Sequence, residues 1–506
     1  MTLAAVLPIM VFSPLLGMVV LLFIKKTEEK WIKIVGVLAT LPALILAFAA
    51  YFHRLAGKSL NDFALSASWI QFGGFKKVSK TLFAVNFELG LNGFTLILIV
   101  LTALVSTLAA IAAIYIKKEW KGFFMLFLLL EMGMLGVFTA ENLILFFIFF
   151  ETILIPAFFL IGKWGYFEKE KAAFNFLLYN GVGSAILLIV IMVLFAKTGT
   201  TNIDALTNII NDSKATLVSP LSAGAKYGLF IALVIAFGVK LPIFPLHSWM
   251  LRAHVQAPTP IVMIHSGILL KIGAYGLIRF GMGIFPEQFK SIAVFIAILG
   301  VINILYGAYI ALIQTDFKMM LAYSSVSHMG IVLIGLAALN EAGVQGAIFQ
   351  VISHGLISAL LFFLISVFYE RTDTTLITNL GGMAKGMPLT AGFLLAGGLA
   401  SLGLPGMSGF ISEFMAFLGL FKVMPIIAAV GTLGIILTAV YLLRTVLGIT
   451  FGKAHRDFAG VVDLQGIEFV PVVTLMLFIV VIGVFPSVLS IPLQTTLKTI
   501  MLGLGG

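Results

Sequence analysis

Long apolar runs constrain this chain more than any other feature. One helix needs about 20 apolar residues to cross a hydrocarbon core about 30 Å thick, and such runs recur throughout the 506 residues. Their unbroken length favours helices over barrel strands, which alternate within about ten residues. The sequence therefore predicts an all-α polytopic membrane protein with about fourteen transmembrane helices. These helices cover approximately 2–24, 31–52, 92–116, 122–140, 143–162, 173–196, 226–253, 260–280, 290–313, 317–339, 344–369, 388–421, 423–447 and 467–494.

Composition excludes several classes of protein. Hydrophobic residues make up 61% of the chain and charged residues 10%, whereas soluble proteins hold roughly 45–50% and 25%. The chain is therefore not a soluble enzyme. It contains no cysteine, which excludes disulfides, thiolate nucleophiles, cysteine-ligated zinc and iron–sulfur clusters. Its basic residues lie between apolar runs, as in membrane proteins that anchor their loops, so nucleic-acid binding is disfavoured.

Basic residues also predict the orientation. Lysine clusters lie in the odd-numbered connections between helices, at Lys25–Lys26, at 117–121 and at 163–171. Cytoplasmic loops carry an excess of lysine and arginine. We therefore expect the odd-numbered connections to face the cytoplasm and both termini to face the opposite side.

The predicted helices form one membrane domain over residues 1–506. Two polar stretches, 53–88 and 197–225, interrupt them. The second contains Asp212, but neither is long enough for a second fold. Helices 1–3 occupy residues 1–121, and the last helix occupies 467–494.

Two helices are predicted to be broken near their middle by proline. Pro242 in helix 7 and Pro405 in helix 12 each remove a backbone hydrogen bond and free the carbonyl four residues earlier, at Gly238 and Ser401. Matching broken helices in two halves of a membrane protein indicate internal repeats with an ion path between them. The five-helix offset predicts repeats over 122–280 and 290–447. An odd number of helices in each repeat makes their topologies inverted.

Five ionisable side chains fall inside apolar runs: Glu131, Glu151, Lys240, Lys271 and Glu413. Each charge near a bilayer centre costs roughly 2.5–3.5 kcal/mol. Five unpaired charges would cost about 12–17 kcal/mol, as much as the net stability of a whole domain. These groups must therefore be paired, neutralised or hydrated.

Glu151 has no polar neighbour one turn away on its own helix, so its partner must come from another helix. Lys240, beside the break in helix 7, is the candidate. Changing the charge of a nearby carboxylate would switch a buried lysine between holding and releasing a proton. The alternative is a static ion pair that fixes helix packing.

Lys271 lies midway through helix 8, after Ser266 and Gly267, whose small side chains allow close helix approach or a bound water. The alternative is that Lys271 extends to an interface. Histidine, which exchanges protons near neutral pH, occurs on two polar stripes. Helix 10 places Ser324 and Ser325 on the face of His328, and helix 11 spaces Gln350, His354 and Ser358 four residues apart. These stripes are predicted to carry hydrogen-bonded water, although single helical histidines often serve only packing.

Glu413 lies two turns after Gly406 and would continue the chain beyond the break in helix 12. Its alternative role is to cap the broken helix ends. Glu131, His247 and His265 are secondary candidates, and His265 is predicted to lie on a different face of helix 8 from Lys271.

These motifs resemble the antiporter-like subunits of respiratory complex I. The resemblance covers essentially the whole chain. It is carried by 240–249, by 253–260 with 269–271, by 149–156, and by 316–318 with 322–330. Within that group the chain resembles the chain M and NADH dehydrogenase subunit 4 family. Glu413 stands where chain L and chain N types, and Mrp-related antiporter subunits, usually have lysine. Chain L's long lateral helix is not found in this sequence, although residues 258–265 are more similar to chain L.

The resemblance implies one proton channel in this subunit, coupled to quinone reduction elsewhere in a H⁺-translocating NADH:quinone oxidoreductase. Glu151 and Lys240 would form the modulating pair, Lys271 the central link, His328 and His354 the extension, and Glu413 the outlet. It implies no cofactor or metal in this chain, with NADH, FMN, iron–sulfur clusters and quinone in partner subunits. The implied neighbours are chain L-like and chain N-like subunits in a bacterial inner membrane, with the termini periplasmic.

Two other functions remain open from the sequence. One is a subunit of a Mrp-type cation/proton antiporter or of a related membrane-bound hydrogenase, which the acidic residue at 413 disfavours. The other is a purely structural membrane subunit, which the five intramembrane charges disfavour.

Overall fold

The computed structural model describes residues 3–71, 83–211, 221–453 and 460–505. Parts of both predicted polar stretches, including Asp212, lie outside these residues. Within them, thirteen helices are long and apolar enough to cross a membrane. We number the predicted spans α1–α14 and divide the interrupted ones into a and b parts. Their bounds are α1 Leu3–Phe23, α2 Glu29–Leu55, α3 Gly93–Tyr115, α4 Trp120–Thr139, α5 Leu143–Trp164, α6 Lys169–Thr198, α7a Ala223–Lys240, α7b Ser248–Gln256, α8 Thr259–Met282, α9 Ala293–Ile313, α10 Phe317–Ala337, α11 Glu341–Thr372, α12a Pro388–Ser401, α12b Ser408–Val423, α13 Pro425–Phe451, α14a Gly466–Val484 and α14b Ser487–Gly503.

Shorter helices lie between some of these spans. They are Leu60–Phe63, Ile203–Asn211, Pro286–Ser291, Ile377–Asn379 and Met383–Gly386. The predicted all-helical membrane fold is confirmed, with α12a as a shorter apolar helix beside the thirteen spans.

Helices α7 and α12 are interrupted near the predicted prolines. After Pro242, the amide of Ile243 donates to the carbonyl of Gly238 at 2.9 Å, so the carbonyl that proline would free regains a partner. In α12 the chain turns through Gly403 and Gly406, at φ +80° and +90°. Glycine adopts this left-handed region without the cost that a Cβ imposes.

A third interruption was not predicted. The sequence analysis treated 467–494 as one helix, but the structure divides it between Val484 and Ser487. Pro486 lies between the two parts. It supplies no amide for a helical hydrogen bond, which accounts for the break.

The polar stretch 53–88 contains a β-hairpin, which the sequence analysis also missed. Strand β1 (Leu65–Gln71) pairs antiparallel with β2 (Ala84–Leu89), with an irregularity between Ser68 and Ile70. Leu89 also bridges Ala140, at the turn between α4 and α5. The alternation of polar and apolar residues in Ala84–Leu89 was the available signal.

Hydrogen bonds between connections define two ends of the bundle. At one end, Tyr166 N donates to Gln256 O at 2.8 Å, joining connections 5 and 7, and Phe317 N donates to Thr375 O at 2.9 Å, joining connections 9 and 11. We call this end the odd side. At the other end, the even side, Gly90 N donates to Thr139 O at 2.9 Å.

The core lies along α8 and α11, whose most apolar stretches are completely buried, whereas those of α2 and α13 are only 33% buried. The backbones of α8 and α11 approach closely at Gly267 and Gly355. A Cβ placed on Gly355 would lie 2.8 Å from the carbonyl oxygen of Gly267. The expected close approach at Gly267 is therefore present, and it brings the polar side chains of these two helices together.

Candidate functional site

Lys271 forms the centre of a buried polar chain. It is fully buried, and its Nζ lies 2.7 Å from Nδ1 of His354 on α11. It also donates to the carbonyl of Ser266, five residues earlier. This five-residue reach occurs because α8 is wound as a π-helix over His265–Leu269. Such segments are frequent at functional sites, and the regular helix predicted for 260–280 did not include one. Lys271 does not extend to an interface.

The buried polar contacts continue from His354 to helix α10. Its Nε2 lies 3.2 Å from Oγ of Ser325, and Ser325 in turn donates to the carbonyl of Leu321 at 3.1 Å. With Lys271 donating to Nδ1, the neutral ring would carry its proton on Nε2. The ring of His354 lies 5.4 Å, centroid to centroid, from that of His328.

His328 contacts three polar side chains at once. Its Nδ1 lies 3.4 Å from Oε1 of Glu413 and 3.2 Å from Nε2 of Gln350. Its Nε2 lies 3.2 Å from Oγ of Ser401, the last residue of α12a. Ser412 donates to Oε1 of Gln350 at 2.5 Å, which orients the amide with its nitrogen toward His328. The chain therefore reaches the broken helix α12 through His328.

Glu413 lies against the break itself. A Cβ placed on Gly403 would lie 3.0 Å from its Oε2, so glycine leaves room for the carboxylate there. Glu413 is 6% exposed. Among the described residues its partner is His328 of α10, and no backbone amide of α12 donates to it, so it does not cap the broken helix ends.

The predicted polar stripes are only partly correct. Ser324 accepts from the hydroxyl of Tyr441 on α13 at 2.8 Å, and Ser325 contacts His354 instead of His328. Ser358 donates back to the carbonyl of Gly355 at 3.4 Å and takes no part in the chain. Spacing places residues on a face but does not identify which neighbouring helix supplies their partners.

Glu151 and Lys240 are near enough to interact by charge but are not in direct contact. No ion pair or hydrogen bond joins them in the described parts of the chain, and Oε1 of Glu151 has no hydrogen-bond partner. The ammonium of Lys240 lies 4.5 Å from the ring centroid of Phe150 and 5.9 Å from that of Phe176. Adjacent helical residues point about 100° apart. Phe150 faces Lys240, and the neighbouring Glu151 is half-buried.

Two histidines occupy the space between the two lysines. The rings of His254 (α7b) and His265 (α8) lie 4.7 Å apart and nearly perpendicular. His265 also lies 5.8 Å from Phe176, which contacts Lys240. Both histidines are fully buried, yet none of their four ring nitrogens has a hydrogen-bond partner among the described residues. Buried polar atoms are nearly always bonded, so these two rings are the part of the site where polar partners other than protein groups are needed.

His254 was not among the predicted candidates. The available signal was its position on α7b, two residues before the end of the short helix that follows the break. His265 contacts Trp249 and Phe176 while Lys271 contacts His354, in agreement with the expectation that they lie on different faces.

Two secondary candidates lie apart from this chain. Glu131 is completely buried, and neither of its oxygens has a hydrogen-bond partner among the described residues. The ring of His247 packs 5.2 Å from that of Tyr306 and 5.8 Å from that of Phe244. The structure brings neither into contact with Lys271, His328 or Glu413.

The arrangement suits proton transfer between side chains. One hydrogen-bonded segment contains Lys271, His354 and Ser325, and a second contains His328, Gln350 and Glu413. The rings of His354 and His328, 5.4 Å apart, bring the two segments together. The described residues contain no group of three or more His, Asp or Glu side chains that could hold a metal ion.

Comparisons with known proteins show the family to which the chain belongs. A family described as NADH:quinone oxidoreductase/Mrp antiporter, TM, matches residues 140–438. The chain is 36% identical to NADH-quinone oxidoreductase subunit M of Rickettsia prowazekii, over 95% of this chain and 96% of that protein. It is 38% identical to an NAD(P)H-quinone oxidoreductase chain 4 of Nostoc sp., over 94% and 87%.

Solved structures are similar over the whole length. A chain of respiratory complex I from Thermus thermophilus superposes with a TM-score of 0.86 at 29% identity, covering 99% of this chain and 100% of that chain. A chain of the Mrp complex from Dietzia sp. superposes with a TM-score of 0.84 at 22% identity, covering 100% of both, and shares the fold. By sequence and by structure, the chain belongs to the NADH:quinone oxidoreductase/Mrp antiporter transmembrane family.

Proposed function

We propose that this chain is the proton-translocating, subunit M-type membrane subunit of a NADH:quinone oxidoreductase. It moves protons while partner subunits carry out quinone reduction. The observation that carries the proposal is the buried line from Lys271 through His354 and His328 to Glu413. Relatives of this length are named as subunits of that enzyme.

His328 is the point at which the line can change state. When neutral, its Nδ1 accepts a hydrogen bond from Gln350; when protonated, the same nitrogen becomes a donor to Glu413. Nδ1 cannot serve both partners at once, because Gln350 needs it without a proton and Glu413 needs it with one. A proton arriving from the Lys271–His354 pair would therefore turn His328 from Gln350 to Glu413.

The approach to Lys271 depends on water. Phe176 contacts both Lys240 of α7a and His265 of α8, and His265 contacts His254 of α7b. The ring nitrogens of both histidines have no hydrogen-bond partner among the described residues. Water bonded to those nitrogens would connect Lys240 to Lys271. Glu151 would act on Lys240 through its charge rather than by direct contact, since opposite charges act over several ångströms in a medium of low dielectric constant.

The chain is an integral membrane protein, and its relatives lie in multi-subunit complexes. We place chain L-like and chain N-like subunits beside it in a bacterial inner membrane. The odd side, with its lysine clusters, would face the cytoplasm. NADH, FMN, the iron–sulfur clusters and quinone belong in this proposal to partner subunits, and no redox step takes place in this chain.

A Mrp-type cation/proton antiporter is the second candidate, because the Dietzia Mrp chain has the same fold. Sodium efflux driven by a pH gradient, without any electron donor, would favour it. The carboxylate at 413, which the resemblance places where antiporter subunits have lysine, supports the oxidoreductase.

The experiment is NADH-driven proton uptake by the purified complex in proteoliposomes, comparing wild type with Glu413→Gln. Glu341→Gln is the matched control, because Glu341 is an exposed carboxylate at the even-side end of α11. We expect the control to pump normally and Glu413→Gln to transport about tenfold fewer protons per NADH oxidised, since it lacks the titratable outlet. Normal pumping by Glu413→Gln, in a complex of normal composition, would overturn the proposal.

A further inference from the structure

Two polar side chains of α6 are buried without using their full hydrogen-bonding capacity. Asn180 is 1% exposed and Ser184 is 5% exposed. The amide nitrogen of Asn180 donates to the carbonyl of Phe176 at 2.8 Å, which leaves its Oδ1 as a free acceptor. Neither this oxygen nor Oγ of Ser184 has a hydrogen-bond partner in the described part of the chain. Buried polar atoms are nearly always bonded, so both groups are available to side chains of neighbouring helices.

The hydroxyl of Ser184 differs from other buried hydroxyls of the membrane helices. Thr102, Thr198 and Ser366 each donate to the carbonyl four residues earlier, at 2.7 or 2.8 Å. Such a bond satisfies a hydroxyl within its own helix. Ser184 does not form this bond, so its hydroxyl is left for a group outside α6.

Ser184 and Glu151 lie on the facing sides of α6 and α5. These two helices run antiparallel and meet where a Cβ placed on Gly162 would lie 3.2 Å from Cβ of Ala173. Glu151 comes eleven residues before Gly162, and Ser184 comes eleven residues after Ala173. Eleven residues make about three helical turns, so both side chains return to the faces that meet there, and to the same depth. The free hydroxyl therefore faces a carboxyl group whose Oε1 is also without a hydrogen-bond partner among residues that the structure describes.

Asn180 lies at the depth of Lys240. Three residues beyond it on α6, a Cβ placed on Gly183 would lie 3.6 Å from Cβ of Val239, the residue before Lys240. One turn before it on α6, the ring of Phe176 lies 5.9 Å from the Lys240 ammonium. Asn180 is therefore flanked on α6 by two residues that contact α7a at or beside Lys240.

We propose that Asn180 and Ser184 are positioning residues for the Glu151–Lys240 pair. Oδ1 of Asn180 accepts a hydrogen bond from the Lys240 ammonium, and the hydroxyl of Ser184 donates to the Glu151 carboxylate. Neither bond is formed in this structure, and each requires rotation of the long side chain of Lys240 or Glu151. Because both α6 groups are neutral, they hold the two charges without cancelling either.

This inference rests on the proposed function, because it takes Lys240 as the entry to the Lys271–Glu413 path. A protonated lysine donates hydrogen bonds and therefore needs acceptors when it is buried. The Asn180 oxygen supplies one that remains in place while Glu151 changes its charge. Asn180 thus sets how readily Lys240 holds a proton, and Ser184 sets where the Glu151 carboxylate lies.

The test measures protons taken up per NADH oxidised by the purified complex in proteoliposomes. Asn180→Leu removes the acceptor at similar volume, whereas Asn180→Ser keeps one, because the new hydroxyl can donate to Phe176 while its oxygen still accepts. Thr152→Val is the control, since Thr152 is next to Glu151 but donates to the carbonyl of Ile148 in its own helix at 2.8 Å. We expect uptake to fall about fivefold in Asn180→Leu and to stay within about twofold of wild type in the other two, as loss of a hydrogen bond to a charged group requires.

A second variant covers the case in which Asn180→Leu does not assemble. Ser184→Ala removes one oxygen atom and leaves the packing almost unchanged. We expect a fall of about two- to threefold, and no further fall when the same change is added to Glu151→Met, which has no carboxylate for Ser184 to position. A residue that serves only packing would lower uptake by the same factor in both backgrounds.

The outcomes separate this inference from the proposed function. Wild-type uptake in Asn180→Leu would overturn the inference, and so would uptake in Asn180→Ser as low as in Asn180→Leu. If Asn180→Leu does not assemble, wild-type uptake in Ser184→Ala, or an equal fall in both backgrounds, would overturn it. Normal pumping by Glu413→Gln would instead overturn the proposed path, whatever the α6 variants show.

Discussion

Helices α4–α8 and helices α9–α13 hold their buried charges in different ways. In the second group, His328, Gln350, Ser412 and Glu413 contact one another directly, at 2.5–3.4 Å. In the first group, Lys240 faces aromatic rings, and His254 and His265 have no hydrogen-bond partner among the described residues.

The difference indicates that the two groups of helices have different roles in proton transfer. Direct contacts fix the geometry of proton transfer but leave little to regulate. A segment bridged by water conducts only when it is hydrated, so small movements near Lys240 could open or close it. We expect the first half to control transfer and the second half to carry it out.

The largest effect should follow from removing the contact between Lys271 and His354, where the directly bonded half begins. In His354→Leu, Lys271 loses the acceptor at 2.7 Å and becomes a buried charge without a side-chain partner. Such a loss costs about 3–5 kcal/mol. We expect NADH-driven proton uptake to fall below about a tenth of wild type.

The matched variant is His354→Gln, whose amide oxygen can still accept from Lys271. Assembly of the complex should recover in this variant, while proton transfer stays low. Equal assembly and normal pumping in both variants would show that the contact is not needed.

Single substitutions of His254 or His265, in the half proposed to be bridged by water, should reduce proton pumping less. In His254→Leu or His265→Leu, water can still bond to the remaining ring, so we expect pumping to fall only about two- to threefold. The double variant should lose about tenfold, because no ring nitrogen remains in the pocket. If each single variant stops pumping completely, the two rings do not substitute for one another, and the contrast between the halves disappears.

A smaller effect on stability should follow at the break in α12. Gly403→Ala places a Cβ at φ +80° and 3.0 Å from Glu413 Oε2. We expect a loss of about 1–2 kcal/mol in unfolding free energy, measured by thermal unfolding of the purified complex. Gly392→Ala in α12a is the control, since no atom lies within 4 Å of its added Cβ. Equal unfolding temperatures for Gly403→Ala and Gly392→Ala would contradict the prediction.

The smallest effect on stability should follow from changing Asp463, which lies in the odd-side loop and accepts hydrogen bonds from the start of α12a. Burial raises the pKa of Asp463, but hydrogen bonds from the Thr390 hydroxyl and the amides of Leu389, Leu464 and Thr390 outweigh it, leaving the pKa below 3.8. A carboxyl group whose pKa is lowered by folding stabilises the fold above its unfolded pKa and loses this effect as pH falls through the folded pKa. Asp463→Asn removes a negative charge beside the first amides of α12a and should therefore cost about 0.3–1 kcal/mol near pH 7.

Unfolding of wild type and Asp463→Asn at several pH values checks this sign. The difference between them should shrink as the pH falls below about 3.8, the unfolded pKa of the carboxyl. A difference that stays constant across this range would show that the carboxylate charge does not contribute.

Much of this arrangement could be predicted from the sequence, because lipid leaves a buried charge few choices. Lys271, His328, His354 and Glu413 were identified as a chain, and the structure brings them together. The sequence paired Glu151 with Lys240 but could not give their separation, because apolar spacing does not reveal helix rotation. The two interact by charge without direct contact, and the ring of Phe150 lies 4.5 Å from the Lys240 ammonium. The π-turn at 265–269 was missed because it changes the hydrogen bonding without changing the residue pattern.

The account depends most directly on water between Lys240 and Lys271. A cryo-EM map of the intact complex, at a resolution that shows ordered solvent, would test it. We predict water bonded to the ring nitrogens of His254 and His265, with Lys271, His354, His328 and Glu413 in direct sequence. A dry pocket around the two histidines, with apolar side chains against every ring nitrogen, would contradict the account.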